Sequence, residues 1–276
     1  MLGLEVDRDG PVATLRMAPI AQVVAQGPTD EDIHIRLGQV LDELGDDPEV
    51  RVILLTGAAD GEFLVPPPTS HYREGPSEGR LVAPSGVVAL TRGVIRTHLS
   101  IACIDKPVIA RVNGDAIGFG QSLLLACDLI IAREDALISD VHLGMGEVKR
   151  SDGTPVGPGF GVAPGDGAGA LAMLYMTPPL AKEYLMLSKT MTAAEMCAAG
   201  LINRAVPMAE LDAAVTEVVD GLLRRPATSI AWTKHLVNQR VLSRLVTSNG
   251  ASIAFEMLDF QFHAYNARHP GKEQQS

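Results

Sequence analysis

The chain has 276 residues and a formal net charge of −10, from 23 lysines and arginines against 33 aspartates and glutamates. An acidic chain without a basic cluster is not expected to bind nucleic acid. Hydrophobic residues make up 46% of the sequence, which excludes a disordered chain and is enough to build a sizeable core.

Features that report on the compartment all favour the cytoplasm. The chain has only three cysteines, as is usual in a reducing environment. Its first ten residues lack the basic and apolar regions of a signal peptide. The most apolar stretch, Ser122 to Ala132, is interrupted by Asp128 and is shorter than the roughly 20 residues that span a bilayer. We therefore expect a cytoplasmic protein with no membrane contact.

Short β-branched runs alternate with helical patterns in the first half of the chain. Strands are predicted over Val12–Met17, Arg51–Thr56, Val108–Val112 and Leu129–Ala132, and helices over residues 29–45 and 120–127. Such alternation requires crossover connections between parallel strands, so the predicted fold class is α/β.

The pattern becomes helical after about residue 168. Thr192 and Glu195 form a predicted capping box at the start of one helix, which Gly200 ends. A short strand over residues 202–206 follows, and then helices over residues 208–223, 227–248 and 251–263.

Glycine and proline gather in two stretches. Twelve lie between Gly144 and Gly169, and nine lie between Gly61 and Gly86. Loops of this length are more often functional than idle, so we expect these stretches to form two irregular walls of one pocket.

Several common catalytic motifs are absent from the sequence. There is no GxxxxGK[ST] phosphate loop. Neither HExxH nor CxxC occurs, so no protein-built metal site is expected. The alternating glycines at 157, 159 and 161 lie in a proline-rich segment rather than between a strand and a helix, which disfavours a dinucleotide-binding loop.

The segment from Lys106 to Asp128, KPVIARVNGDAIGFGQSLLLACD, resembles the signature of the crotonase (enoyl-CoA hydratase/isomerase) superfamily. The similarity extends over roughly residues 10–240 and includes the later motifs in the family's order. It implies a crotonase-type spiral of ββα units over residues 1–200 and a C-terminal helical trimerisation region over residues 201–276. A homotrimer or a dimer of trimers is the implied assembly.

The resemblance also implies an oxyanion hole, in which two backbone N–H groups stabilise an enolate. One donor falls at Val65 and the other at Phe119, with Pro66 and Gly118 beside them as substrate-binding residues. A glycine-flanked turn at the start of a helix does present free amides. The alternative is that Gly118 serves only close packing of the helix on the sheet.

Two departures from the hydratase pattern concern the catalytic glutamates. Ser122 stands where the first glutamate of a hydratase would lie, and His142 stands in place of the second. Addition of water by a carboxylate pair is therefore not favoured. Arg16–Pro19 and Pro66–Pro68 also replace motifs of the family near the coenzyme A site, so CoA is expected only as part of a substrate, if at all.

The branch of 6-oxocamphor hydrolase-like β-diketone hydrolases resembles this site more closely. It has a histidine at the position of His142, an aspartate at that of Asp166 and an acidic residue at that of Glu256. A further histidine of the branch has no counterpart here, because Phe119 stands at that position. The segment between His142 and Asp166 is longer in this chain than in either branch.

This pattern suggests a retro-Claisen hydrolysis. A neutral His142 would take a proton from water, and the Asp166 carboxylate would fix its tautomer. Attack on one carbonyl of a β-diketone and cleavage of the C–C bond would leave an enolate. The small-molecule substrate would be a cyclic β-diketone or an acyl-CoA, and no metal or cofactor would be needed.

Each residue also has a structural interpretation. His142 could simply pack, Asp166 could be a turn or N-cap residue, and Glu256 could be a solvated helix position. His71 could reach the pocket as a substrate-binding residue, or lie in an exposed loop. The functional alternatives are an enoyl-CoA hydratase or isomerase and a non-catalytic scaffold.

Overall fold

The computed structural model of the chain describes residues 3–20, 33–66, 84–150 and 152–268. The strands are β1 (Leu4–Asp9), β2 (Val12–Met17), β3 (Val52–Gly57), β4 (Gly61–Leu64), β5 (Val108–Val112), β6 (Gly114–Ile117), β7 (Leu129–Arg133), β8 (Leu137–Ser139), β9 (Met145–Lys149), β10 (Pro155–Phe160), β11 (Thr190–Thr192) and β12 (Arg204–Val206). The helices are α1 (Ile33–Asp46), α2 (Pro84–Cys103), α3 (Phe119–Ala126), α4 (Ala168–Tyr175), α5 (Pro178–Met186), α6 (Ala193–Ala198), α7 (Leu211–Leu223), α8 (Ala227–Arg244) and α9 (Gly250–Arg268).

Two sheets form the spiral core. The larger has the order β1-β2-β3-β5-β7-β12, and the smaller has the order β11-β8-β6-β4. Strands β2, β3, β5, β7 and β12 pair in parallel, as do β4, β6 and β8, while β1 and β11 are antiparallel edge strands. The α/β class and the crotonase-type ββα spiral are confirmed.

The predicted strands and helices agree with the structure to within a few residues where the hydrophobic pattern is strong. Strands β2 and β5 have the predicted bounds, and the Thr192–Glu195 capping box is present in full. Helix α2 was not predicted, because its sequence is rich in β-branched residues and begins in a glycine- and proline-rich stretch. Tertiary packing stabilises it instead: a Cβ at Gly93 would overlap the His34 carbonyl, so this glycine lets α1 and α2 approach closely.

The stretch between Gly144 and Gly169 is not the irregular wall that its composition predicts. Most of it is the antiparallel β9–β10 hairpin, in which Gly144 packs directly on Gly159. The hairpin carries its own small apolar cluster, formed by Ile117, Val141, Val148 and Val156. This cluster lies next to the turn that carries His142, so the hairpin supports the site as a folded element.

The C-terminal region differs from the prediction at one junction. Helices α8 and α9 are joined by a π-helical turn over Leu245–Asn249 and run on without a break. Helix α8 also inverts the usual arrangement: Lys234 and Asn238 are buried, while Trp232 and Leu236 are about 70% exposed. Lys234 forms a 2.7 Å ion pair with Asp128, which attaches α8 to the core through polar contacts and leaves its apolar face uncovered.

Within the described ranges, no helix combines the length and the hydropathy that crossing a membrane requires.

Candidate active site

His142 lies in the turn after β8, and only 5% of its surface is exposed. Its Nδ1 is 3.2 Å from Oδ1 and 3.1 Å from Oδ2 of Asp140, which is completely buried. The backbone N–H of His142 also donates to Asp140 Oδ1, over 3.1 Å. Asp140 therefore contacts the histidine through both its ring and its backbone.

The other ring nitrogen of His142 faces two more carboxylates. Nε2 lies 3.4 Å from Asp166 Oδ2 and 3.7 Å from Glu256 Oε1. Asp166 comes from the turn before α4, and Glu256 comes from α9. The structure thus brings together the three residues predicted to be catalytic, although they are far apart in sequence.

Ser122 is the fifth buried polar residue of this cluster. It lies on α3, where a hydratase would have a glutamate, and its Oγ donates a 2.7 Å hydrogen bond to Asp166 Oδ1. The Asp166 carboxylate therefore has one oxygen held by Ser122 and one directed at His142. A turn-only role for Asp166 does not agree with this geometry.

The three carboxylates determine the protonation state of His142. Burial alone would lower the pKa of His142, but the negative charges of Asp166 and Asp140 and the hydrogen bond to Asp140 outweigh it and hold the pKa well above the usual 6.5, and Glu256 adds a smaller contribution when it is ionised. The histidine is therefore an imidazolium at neutral pH, which differs from the expectation of a neutral base. The reason is that the resemblance predicted only Asp166 and Glu256 near this ring, whereas the fold also places Asp140 against it.

The pKa of Glu256 is also raised, but here burial is the cause of the rise. Its burial raises the pKa of this carboxyl to about 8, although the positive charge of His142 partly offsets the effect. A neutral carboxylic acid and an imidazolium consequently lie side by side at pH 7. The solvated helix position considered for Glu256 is excluded, because its side chain is only 10% exposed.

The start of α3 lies against the histidine. Gly118 is the N-cap residue, with φ of 60°, and a Cβ built on it would be 3.9 Å from His142 Cε1 and 4.0 Å from Pro66 Cγ. Phe119 is the first residue of the helix, where backbone N–H groups have no intrahelical acceptor. Gly118, Phe119 and Pro66 thus lie next to the cluster around His142.

The backbone N–H of Val65, the other predicted oxyanion donor, has a hydrogen-bond acceptor within the protein. Burial raises the pKa of the half-buried Glu62 carboxyl, and a hydrogen bond from the Val65 backbone N–H opposes that rise. This amide is therefore directed at Glu62 in the structure, and its role as an oxyanion donor stays a prediction.

Two further histidines flank the aromatic ring of Phe119. The ring centroids of Phe119 and His34 are 4.4 Å apart, and those of Phe119 and His98 are 6.1 Å apart. His98 is fully buried, and burial lowers its pKa to about 4, so it is neutral at physiological pH. Its Nδ1 contacts Asn249 Nδ2 at 3.2 Å, and its ring packs against Gly167, next to Asp166.

Helix α9 holds the segment that carries Asp166. Asp259 accepts a 2.8 Å hydrogen bond from the Ala163 N–H, and His263 Nε2 lies 2.8 Å from the Gly161 carbonyl. Glu256 packs directly on Gly165, where no larger residue would fit. These contacts recur along one side of α9 and fix Glu256 and Asp166 relative to each other.

Three functional residues escaped the sequence analysis in whole or in part. Asp140 was missed, although an aspartate two residues before a histidine in a turn is a usable signal for a ring contact. Ser122 was noted only as a missing glutamate, and nothing in the sequence indicated that His98 would be buried beside Asp166. His71, predicted to bind substrate, lies outside the described residues.

Within the described part of the chain, Asp140, His142 and Asp166 are close enough to share a cation, with potential ligand atoms within 4.8 Å of one another. Their carboxylate and imidazole groups suit a divalent metal ion. However, His142 Nδ1 and both oxygens of Asp140 already contact one another, so a metal at that position would have to separate them.

A ββα spiral with buried acid–base residues beside the glycine turn of α3 defines a crotonase-superfamily enzyme. The chain matches the family model for enoyl-CoA hydratase/isomerase over residues 30–263 and belongs to that family.

Its relatives include enzymes of more than one reaction type. A carnitinyl-CoA dehydratase from Salmonella typhi is 29% identical over 235 residues, which cover 84% of this chain and 79% of the relative. An enoyl-CoA hydratase/isomerase from Mycobacterium paratuberculosis superposes with a TM-score of 0.75 at 24% identity, covering 94% of each chain. A β-diketone hydrolase from the cyanobacterium Anabaena, solved with (S)-3-oxocyclohexyl acetic acid, superposes with a TM-score of 0.77 at 20% identity and covers 95% of this chain and 96% of its own.

Proposed function

We propose that the protein hydrolyses a carbon–carbon bond of a cyclic β-diketone. The observation that carries this proposal is the buried cluster in which His142 Nε2 faces both Asp166 and Glu256, while Ser122 replaces the first hydratase glutamate. The similarity in fold to a β-diketone hydrolase supports the same reaction class.

The first step is the attack of water on one carbonyl of the diketone. Asp166 is the base, because the imidazolium of His142 cannot accept another proton. One oxygen of Asp166 is oriented by Ser122, and the other lies near His142 Nε2. The water oxygen adds to the carbonyl carbon, which becomes a tetrahedral intermediate. The proton that the water loses passes to the Asp166–His142 pair.

The second step is cleavage of the bond between that carbon and its neighbour. The electron pair of the broken bond passes to the second ketone and forms an enolate, which the Phe119 N–H would stabilise. Glu256, neutral at pH 7, donates its proton to the enolate carbon. Because the broken bond lies in the ring, the product is a single molecule that carries both a carboxylic acid and a ketone.

The same geometry returns the proton. His142 Nε2 lies between the two carboxyl groups, so it can pass the proton from Asp166 to the newly ionised Glu256. The cycle consumes one water and one diketone, and it uses no cofactor. A homotrimer or a dimer of trimers would be compatible with the uncovered apolar face of α8.

The test is a hydrolysis assay with a panel of cyclic β-diketones, without CoA and with or without a chelator. We expect turnover that resists the chelator, and a loss of at least about 100-fold in kcat for His142→Ala and for Glu256→Gln. The rate of the unaltered protein should fall as pH rises through about 8, as Glu256 loses its proton. Asp135→Asn, an exposed change, is the control. Full activity in His142→Ala would contradict the mechanism.

A second candidate is a lyase that acts on an acyl-CoA thioester. It is favoured by the carnitinyl-CoA dehydratase relative, which is more similar in sequence than the structural neighbours. In this case Asp166 and Glu256 would serve as the acid–base pair of water addition. Thermal stabilisation by acetoacetyl-CoA discriminates the two, because a ligand at about 100 times its Kd adds roughly 2.7 kcal/mol of stability. No shift at saturation would exclude the second candidate.

A further inference from the structure

Asp140 is the charged residue of the cluster that the proposed reaction does not use. It is completely buried, and no Lys or Arg forms an ion pair with it among the residues that the structure describes. Within the described ranges, the hydrogen-bond contacts of its carboxylate go to His142: two from Nδ1 to the carboxylate oxygens and one from the backbone N–H to Oδ1. A buried carboxylate costs several kcal/mol without a partner, so this arrangement depends on a charged or hydrogen-bonding histidine.

The two ring nitrogens of His142 differ in how closely their partners approach. Asp140 binds Nδ1 at 3.1 and 3.2 Å with additional support from the backbone, which fixes the ring orientation. Asp166 and Glu256 lie at the longer distances of 3.4 and 3.7 Å from Nε2, outside good hydrogen-bonding distance. Tight contact on one side and loose contact on the other make Nε2 the nitrogen whose proton can move.

We infer that Asp140 is the positioning residue of this site: it retains a proton on Nδ1 of His142, so that only the Nε2 proton moves between Asp166 and Glu256. This inference rests on the proposed acid–base roles of those two residues. It replaces the sequence-based assignment of Asp166 as the carboxylate that fixes the histidine tautomer.

The other groups around Asp140 and His142 are consistent with this role. Tyr184 is fully buried beside Asp140, and burial raises its pKa well above the usual value, so it is neutral. His98 faces Asp166 and is neutral at pH 7, as is Glu256. Asp140 and Asp166 thus carry the negative charges that face His142 from opposite sides.

Asp140→Asn tests the inference, because the amide keeps one acceptor oxygen and removes the charge. We expect kcat to fall by at least about 100-fold with little change in KM, since the completely buried side chain of residue 140 is not accessible to a substrate. The second measurement is the protonation state of His142 without substrate, which nitrogen-15 NMR reports. The His142 signal is assigned as the one that is missing in His142→Asn. The ring should be an imidazolium at pH 7.5 in the unaltered protein, and its pKa should be lower in Asp140→Asn, which loses the charge on the Nδ1 side.

The NMR titration separates this inference from the proposed function. If no diketone is hydrolysed but the His142 signal shifts as expected, the positioning role stands and the reaction class is wrong. An unchanged His142 titration in a folded Asp140→Asn variant would overturn the inference. If that variant does not fold, the unaltered protein decides: a His142 ring that is neutral at pH 7.5 would equally overturn it. Asp135→Asn is the matched control and should leave the titration unchanged.

Discussion

Ser122 Oγ and Asp166 Oδ1 are joined by a 2.7 Å hydrogen bond across 44 residues of sequence. Ser122 stands where the hydratase pattern has a glutamate, and a second carboxylate at that position would lie against Asp166 in a buried site. The serine instead donates a hydrogen bond and leaves Asp166 charged. Compared with the hydratase pattern, Ser122 and Asp166 therefore differ together: the serine removes one carboxylate and binds the carboxylate of Asp166.

Ser122→Ala should weaken both the fold and the reaction. Removal of the hydroxyl leaves a buried carboxylate oxygen without its donor, which costs about 1.5–3 kcal/mol for a charged group. We expect the free energy of unfolding to fall by that amount and kcat to fall about tenfold, measured by denaturant unfolding and by steady-state kinetics. Ser243→Ala, on the exposed side of α8, should change neither quantity. Unaltered values in Ser122→Ala would show that Asp166 is oriented by other groups.

Glu256→Gln should change how stability depends on pH. The pKa of Glu256 is about 8 in the folded protein and roughly 4.3 in an unfolded chain, so the folded state binds the extra proton between these values. The unaltered protein consequently loses stability as pH rises from about 4.3 to about 8, whereas the glutamine variant does not lose this contribution. We expect the stability of Glu256→Gln relative to the unaltered protein to increase between pH 5 and pH 8 in thermal unfolding. The exposed change Glu147→Gln should show no such trend, and a pH-independent difference would mean that Glu256 titrates normally.

Gly167→Ala should destabilise the turn that carries Asp166. The backbone there has φ of 118°, and a Cβ would overlap His98 Cε1 in the buried interior. Backbone strain of about 1–3 kcal/mol and the steric clash then act together. Gly153→Ala separates the two effects, because Gly153 has φ of 88° but open space around its Cα. Equal losses in the two variants, measured by denaturant unfolding, would exclude a role for the contact with His98.

Trp232→Asp should impair assembly. Trp232 and Leu236 are about 70% exposed on α8, and exposed apolar groups of this size mark protein interfaces. We expect Trp232→Asp to shift the molar mass in light scattering from a trimer or hexamer towards a monomer. Gln239→Asp, an exposed polar change on the same helix, should leave the mass unaltered. A monomeric mass for the unaltered protein would contradict the expected assembly.

The sequence by itself determined the fold class and several strands and helices. Strands β2 and β5 are short runs rich in apolar and β-branched residues, and the capping box at Thr192 is a local interaction, so both were predictable from short segments. The motif around Gly118 was identified by resemblance, and close packing does not explain this glycine, because a Cβ there would have no atom closer than 3.9 Å. His142, Asp166 and Glu256 were identified by resemblance, and the structure brings them together.

Only the tertiary structure decided how these residues interact. Helix α2 has a weak local signal and forms because glycines let it pack closely on α1. The segment after Gly144 folds as a hairpin because β9 and β10 pair and bury an apolar cluster. Above all, the protonation of His142 depends on the distances and burial of three carboxylates from different parts of the chain. Electrostatic energy in a low-dielectric interior varies with these distances, which no local pattern in the sequence contains.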